Sequence, residues 1–318
     1  MNETATKVIA VTGATGAQGG GLVQAILAHP EGGFRARAIT RDPSSDRAQA
    51  LAALGVEVVQ ADLDDEATLA NAFAGAYGAF CVTNFWEHFS PEKENTQAAN
   101  LAGAAKTAGV SHVIWSTLED VRLWVPLTDN RMPTLMGRYK VPHFDGKGES
   151  NHYFADAGVP TTFLYASFYW DNLINFGMGP KPDQDGNLAI TFPIGDAKLA
   201  GIAAGDIGGC AYGVFTAGDE LIGKSVGIAG GHLTGKDMAA SLSTALRTEV
   251  RYDCVTPAVY RTFGFPGAED LGNMFQFNVE FADEYCAARD VDATRRLNPD
   301  LRSFDSWLES DGAKIPVG

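Results

Sequence analysis

Val8-Ile9-Ala10-Val11-Thr12-Gly13-Ala14-Thr15-Gly16-Ala17-Gln18-Gly19-Gly20-Gly21 decides the fold. An apolar, β-branched run ends in a glycine-spaced turn, and a helical pattern follows at once. Leu22, Val23, Ile26 and Leu27 recur at the 3, 4 spacing of one helix face. Strand, glycine turn and helix in that order form the context in which a glycine motif indicates a dinucleotide. Gly13 permits the tight turn, Gly16 lets backbone approach a pyrophosphate, and Gly19 lets the helix lie close on the strand. The helix start then offers unpaired N–H groups and partial positive charge to phosphates.

The pattern repeats downstream. Strands are predicted at Phe34–Thr40, Val56–Ala61, Ala79–Val82, His112–Thr117 and Thr161–Tyr165. Helices are predicted between them, the longest from Pro91 to Ala108 and stopped by Gly109. Such alternation predicts an α/β fold, a Rossmann-type doubly wound parallel sheet with right-handed crossovers. Leu118 to Pro142 breaks the rhythm with three prolines (Pro126, Pro133, Pro142) and the apolar Trp124, Met132 and Met136. A connection of that length inside a compact domain is usually functional, and its apolar content suggests a lid. From Phe168 the pattern loosens. A helix is expected to begin at Phe168-Tyr169-Trp170, a hairpin at Asp185-Gly186-Asn187, and helices over Thr234–Leu246 and Glu269–Phe281. The expected division is a Rossmann domain over 1–167 and a smaller α+β C-terminal lobe over 168–318. Some later segments are expected to return to the first domain.

The chain has 318 residues, 45% apolar and 20% charged, an ordinary globular composition. Lys and Arg number 24 against 39 Asp and Glu, a net charge of −15 with no basic segment to offset it. That balance argues against nucleic acid or an anionic membrane as partner. Cys81, Cys210, Cys254 and Cys286 are widely spaced without a CxxC, and the histidines show no ligand spacing, so no metal is expected. Reduced thiols, no leader-like start and no apolar run near ~18 residues predict a cytoplasmic protein. A homodimer is the base-rate expectation for assembly.

Cofactor choice is read at the end of the second strand, beside the adenosine ribose. A carboxylate there suits the 2′-OH of NAD and an arginine suits the 2′-phosphate of NADP. Arg41 comes first, and its planar fork can pair with phosphate and stack on adenine; Asp42 follows at once. NADP(H) is the expected cofactor. Asp62 and Leu63, after the third strand, would flank the adenine, unless Asp62 caps the next helix.

With the Gly-x-x-Gly-x-x-Gly turn, Arg41, Asp62 and Thr83-Asn84-Phe85-Trp86-Glu87 in place, the chain resembles the NmrA-like family, an atypical branch of the short-chain dehydrogenases. His143-Phe144-Asp145-Gly146-Lys147-Gly148-Glu149, Phe168-Tyr169-Trp170-Asp171-Asn172, Phe263-Gly264-Phe265-Pro266-Gly267 and Leu297-Asn298-Pro299 strengthen the likeness. It runs over essentially the whole length and is closest to the NADPH-sensor proteins of animals. The resemblance implies a nucleotide cleft between the lobes. Gly13, Thr15, Gly16, Ala17, Gln18 and Gly19 would hold the pyrophosphate and Arg41 the 2′-phosphate. Thr83, Asn84 and Phe85 would follow the ribose and phosphates. Lys147 would reach the nicotinamide ribose, and Tyr169 to Asn172 would close over the nicotinamide. The chain departs from the sensors at Thr96, where they carry a lysine, and in its longer Leu118–Pro142 loop.

Typical short-chain dehydrogenases pair a tyrosine and a lysine at i, i+4 on one helix face, with a serine at the end of strand five. Here His143 stands four residues before Lys147, and Ser116 occupies the serine's place. Tyr139 is two turns away, across Pro142. His143 could donate a proton near neutral pH or cap its helix. Tyr169 could be a donor or a pocket wall, and Ser116 could bind a substrate hydroxyl or backbone. Two functions compete. One is an NADPH-dependent reductase of a small apolar or aromatic carbonyl, imine or quinone, with Lys147, His143, Tyr169 and Ser116 at its centre. Phe85, Trp86, Trp124, Phe168, Trp170, Met132 and Met136 would form its pocket. The other is a non-catalytic NADPH/NADP redox sensor that regulates a protein partner.

Overall fold

The computed structural model describes residues 6–183 and 185–317. β1 (Lys7–Val11), β2 (Phe34–Thr40), β3 (Glu57–Gln60), β4 (Gly78–Cys81), β5 (His112–Thr117) and β6 (Thr161–Tyr165) form one parallel sheet. Three short strands follow in the chain, β7 (Phe168–Tyr169), β8 (Lys181–Pro182) and β9 (Leu188–Phe192). β10 (Leu199–Ile202), β11 (Ser225–Gly227), β12 (Gly231–Leu233) and β13 (Val250–Cys254) complete the set. The large sheet runs β11-β6-β5-β4-β1-β2-β3, with every pairing parallel. The chain order reverses between β1 and β4, and in open sheets of this kind ligands bind outside the carboxyl ends of the strands at that point.

Strand alternation separates the two faces. Ile9 and Val11 enter a core with α1 (Ala17–Ala28), α2 (Asp46–Ala53) and the helix Ala204–Ala217. Val8 and Ala10 enter the opposite core with α3 (Glu66–Phe73), α5 (Pro91–Ala108) and α6 (Pro142–Asp156). A one-turn helix, α4 (Phe85–His88), lies between β4 and α5. The Ala204–Ala217 helix comes from beyond residue 168, yet it packs on α1 so tightly that a Cβ on Gly208 would lie 2.0 Å from the Leu22 backbone nitrogen. Ser225–Gly227 likewise supplies the edge strand of the large sheet.

The remaining strands form two three-stranded sheets, β12-β10-β7 and β13-β9-β8, over a separate aromatic core. Phe168 and Tyr169 are extended, not the start of a helix. They pair with Gly201 and Ile202, and the bare Gly201 makes room for the Trp170 indole. The helix begins only at Asn172.

The Leu118–Pro142 segment differs from a free lid. Val121, Val125, Met132, Tyr139 and Val141 are fully buried. The buried Lys140 ammonium donates to the carbonyls of Asp129 and Met132, both at 2.8 Å. The Asp145 carboxylate accepts N–H groups from Val121 at 2.8 Å, Lys140 at 2.6 Å and Val141 at 3.1 Å. Backbone groups that sequence periodicity cannot pair are thus satisfied by two buried ionisable side chains.

Candidate active site

The glycine turn has the geometry that a phosphate cradle requires. Gly13 has φ +60°, and a Cβ on Gly19 would lie 2.5 Å from the Gly13 carbonyl oxygen, so neither position tolerates a side chain without backbone movement. Gly16 caps α1 without any side-chain hydrogen bond, which leaves the first N–H groups of the helix facing outward with Thr15 and Ala17. The Thr12 hydroxyl ties this turn to β4 by donating to the Phe80 carbonyl at 3.1 Å and accepting from Val82 N–H at 2.9 Å.

Beyond the ends of β2 and β3, Arg41, Gln60, Ala61, Asp62 and Thr68 line a hollow of about 210 Å³. The Arg41 guanidinium is 63% exposed and pairs with Glu87, itself 47% exposed. An open pair of that kind is worth little, so a phosphate dianion can compete for the arginine. Asp62 does not cap α3; Asp65 does, accepting from Ala67 and Thr68. Asp62 instead accepts from Asp64 N–H at 3.0 Å, and Leu63 lends its carbonyl to Asn100 at 2.8 Å. Arg47, on the first turn of α2, reaches the Thr15 carbonyl at 3.4 Å and adds a second cation that the motif reading passed over.

Two clusters lie further along the carboxyl ends of the strands. In the first, the Ser116 hydroxyl donates to Gln18 Oε1 at 2.7 Å, and Gln18 Nε2 donates to the Tyr169 hydroxyl at 2.5 Å. One line of hydrogen bonds therefore joins β5, the glycine turn and β7. Burial pushes the Tyr169 phenol well above its usual range, and the Gln18 bond only partly offsets it. Asn172 lies three residues on, half-buried at the start of its short helix.

In the second cluster, Lys147 Nζ donates to Thr83 Oγ1 at 2.7 Å and to the Thr83 carbonyl at 3.1 Å, and pairs with Glu94 Oε1 at 2.6 Å. Thr83 Oγ1 donates to the same Glu94 oxygen at 2.5 Å. Glu94 is fully buried; its second oxygen faces His88 Nε2 at 3.6 Å, and the ammonium sits 5.3 Å from the Trp115 ring. Sequence reading passed over Glu94, although it lies on the buried stripe of α5 with Ala98, Leu101 and Ala105. A carboxylate on an apolar helical stripe was the available signal.

His143 is held differently from the tyrosine of a Tyr-x-x-x-Lys pair. Its Nδ1 lies 2.6 Å from Asp270 Oδ1, and its backbone N–H donates to Asp270 Oδ2 at 3.1 Å. The ring packs 4.8 Å from Trp86 and 5.9 Å from Phe85. Asp270 is 127 residues away in sequence, so no local pattern announces it. Tyr139 is directed elsewhere, its hydroxyl bonded to Glu92 at 3.0 Å. Of the expected aromatic pocket, Phe168, Trp170 and Met132 are sealed in the core, and Trp124 packs on Phe277 and Phe281. Exposed Asn84, with Phe85 and Trp86 behind it, borders the cleft beyond β4.

Among the described residues, no group of three or more His, Cys, Asp or Glu side chains could hold a metal ion. Nor is any helix among them long and apolar enough to cross a membrane.

The pattern of the NmrA-like family matches residues 5–308. The oxidoreductase FrzB of Cladobotryum sp., which carries an NmrA-like family domain, is 28% identical over 91% of this chain and 88% of its own. The corresponding oxidoreductase malD of Malbranchea aurantiaca is 30% identical over 70% of this chain and 68% of its own. The negative transcriptional regulator NmrA, solved in complex with NADP, is 25% identical, with a TM-score of 0.77 over 96% of this chain and 95% of its own. This chain belongs to the NmrA-like family, whose NADP(H)-binding and oxidoreductase members share its Rossmann-type architecture.

Proposed function

We propose that the chain is an NADP(H)-dependent oxidoreductase that reduces a small, largely apolar or aromatic carbonyl, imine or quinone. The observation that carries this reading is the hydrogen-bonded line Ser116–Gln18–Tyr169 beside the uncapped start of α1. Ser116 fixes the Gln18 amide and Gln18 donates to the Tyr169 hydroxyl, so the phenol keeps its own proton for a nascent alkoxide or amide anion.

The chain's residues fit the cofactor. The cradle at Gly13 and Gly19 would be filled by a Cβ, and the α1 N–H groups are free of side-chain caps. Arg41 stands at the rim of the adenosine hollow. Gly13 to Gly19 would hold the pyrophosphate, Arg41 the 2′-phosphate, and Asp62 and Leu63 the adenine. Thr83 to Phe85 and Lys147 would lie along the ribose, with Tyr169 and Asn172 at the nicotinamide. NADPH supplies a hydride when bound there.

The protein's own contribution is orientation and a proton. Gln18 fixes the Tyr169 hydroxyl, and that phenol is protonated at neutral pH, as a donor must be. Lys147, held by Thr83 and Glu94, sets a fixed cation at the end of β4. His143 is a positioning group for the cleft wall, tied by Asp270 against Phe85 and Trp86.

The test is loss of absorbance at ~340 nm when purified protein and NADPH meet a panel of aldehydes, quinones and cyclic imines. Turnover that falls in Tyr169→Phe and Ser116→Ala supports the reading. NADPH binding by calorimetry without turnover of any panel member selects the second reading, a redox sensor that changes protein partners with occupancy. That alternative is favoured by one feature, the replacement of the usual tyrosine four residues before Lys147 by a histidine locked onto Asp270.

A further inference from the structure

A second cavity, of about 420 Å³, opens between α4, residues 135–142 and residues 261–270. Its walls include Phe85, Phe89, Met136, Phe263 and Phe265, and the buried Asp270 is part of its lining. That volume is within the range of small-molecule sites, roughly 300–1,000 Å³.

Three features mark it as built for a ligand. The first is backbone strain. Only three non-glycine residues among those described have positive φ, and two of them, Phe89 (φ 54°) and Met136 (φ 48°), line this cavity. Holding an L-residue there costs about 1–2 kcal/mol, and both side chains remain substantially exposed, so the fold recovers little from their burial.

The second is Arg261. Its Nη1 donates to Asn273 Oδ1 at 3.0 Å and to Gln276 Oε1 at 2.9 Å, both neutral amides. No carboxylate among the described residues lies within ion-pairing distance of it; Glu269, exposed at the rim, is the opposing charge that acts on it. Burial destabilises this cation without a salt bridge to offset the loss.

The third is pre-organisation. Asn273 is fully buried, and its Nδ2 donates to the carbonyls of Pro133 at 2.9 Å and Lys140 at 2.5 Å, which fixes Oδ1 toward the arginine. Gln276 is fixed in the same way by the Arg131 carbonyl at 2.9 Å. Gly272 completes the bed, because a Cβ there would lie 2.4 Å from Arg261 Cγ. The side chain is thus laid across the neighbouring helix, Ala268–Glu280, with the rest of the guanidinium fork left for another acceptor.

We propose that this cavity binds an aromatic carboxylate, its ring between the exposed aromatic side chains and Met136, and its carboxylate on Arg261. A planar fork meeting a carboxylate is the strongest ordinary ion-pair geometry, and its ring partners supply apolar area of the matching shape. The ring of such a ligand would contact Phe85, which packs 5.9 Å from the His143 ring that Asp270 also holds.

Calorimetry with 2-naphthoate and with uncharged 2-naphthamide, in low salt and with no cofactor present, tests the assignment independently of any turnover. The acid is expected to bind at least tenfold more tightly than the amide. Arg261→Gln should abolish that preference, Met136→Ala should weaken both probes several-fold, and Glu269→Gln should tighten the acid alone. Equal affinity for acid and amide, or no binding of the acid at millimolar concentration, overturns the proposal whatever the variants do. A folded Arg261→Gln protein that keeps the preference overturns the role of the arginine.

Discussion

Replacing Glu94 by Gln removes one charge from a fully enclosed cluster and little else. The carboxylate is buried, and its Oε1 accepts from both Lys147 Nζ (2.6 Å) and Thr83 Oγ1 (2.5 Å). A glutamine oxygen can occupy the same place and keep both hydrogen bonds, so shape and bonding survive while the counter-charge is lost. Lys147 is then a buried cation with neutral acceptors at position 94 and Thr83 and the Trp115 ring beside it, but with no counter-charge. Removing one partner of a buried pair costs about 3–5 kcal/mol, since the charge left behind is no longer compensated. The second change, Lys147→Met, removes that charge, and the double variant should recover most of the loss because neither ion then needs solvation. Urea unfolding followed by tryptophan fluorescence gives all three free energies. A Glu94→Gln protein as stable as the parent would refute the buried-pair reasoning. So would a double variant no more stable than the sum of the two single losses.

Other outcomes follow from the same geometry. Arg41→Ala should weaken NADPH by about 1–3 kcal/mol while leaving NADH nearly unchanged, measured by calorimetry; equal weakening of both would remove the 2′-phosphate assignment. Gly19→Ala forces a Cβ to 2.5 Å from the Gly13 oxygen, so it should cost about 1–3 kcal/mol of stability and at least tenfold in NADPH affinity. Burial pushes the Asp145 carboxyl up to about 7, against an ordinary value near 3.8. The folded state therefore keeps a proton that the unfolded chain releases. This contribution to stability is complete below pH ~4 and lost as pH rises through 7, by up to about 4 kcal/mol. The difference between Asp145→Asn and parent unfolding curves at pH 4.5, 6 and 7.5 isolates that slope, and a constant difference would contradict it.

Much of the fold was legible because its signals are local. The β-branched run before Gly13, the stripe Leu22, Val23, Ile26 and the glycine stop at Gly109 each depend on a few neighbouring residues. The strands from β1 to β6 all fall where residue periodicity places them, within a residue or two. Legibility ended where a partner lies far along the chain. Phe168 and Tyr169 read as a helix start until Gly201 and Ile202 are brought alongside them. The Leu118–Pro142 segment reads as a lid for a different reason: its partners Lys140 and Asp145 are close in sequence, but no periodicity shows that they turn inward to satisfy its backbone.

By itself, the sequence determined the dinucleotide turn, the arginine after strand two, the parallel sheet and the family. Each follows from residue types at short fixed spacings, which chain geometry alone converts into structure. Only tertiary structure decided what the polar residues do. Gln18 joins Ser116 to Tyr169 across 98 and 151 positions, Lys147 is claimed by Glu94 and Thr83, and His143 by Asp270. The physical reason is desolvation. A buried polar group must find a partner wherever the packed chain supplies one, and sequence spacing carries no record of that choice.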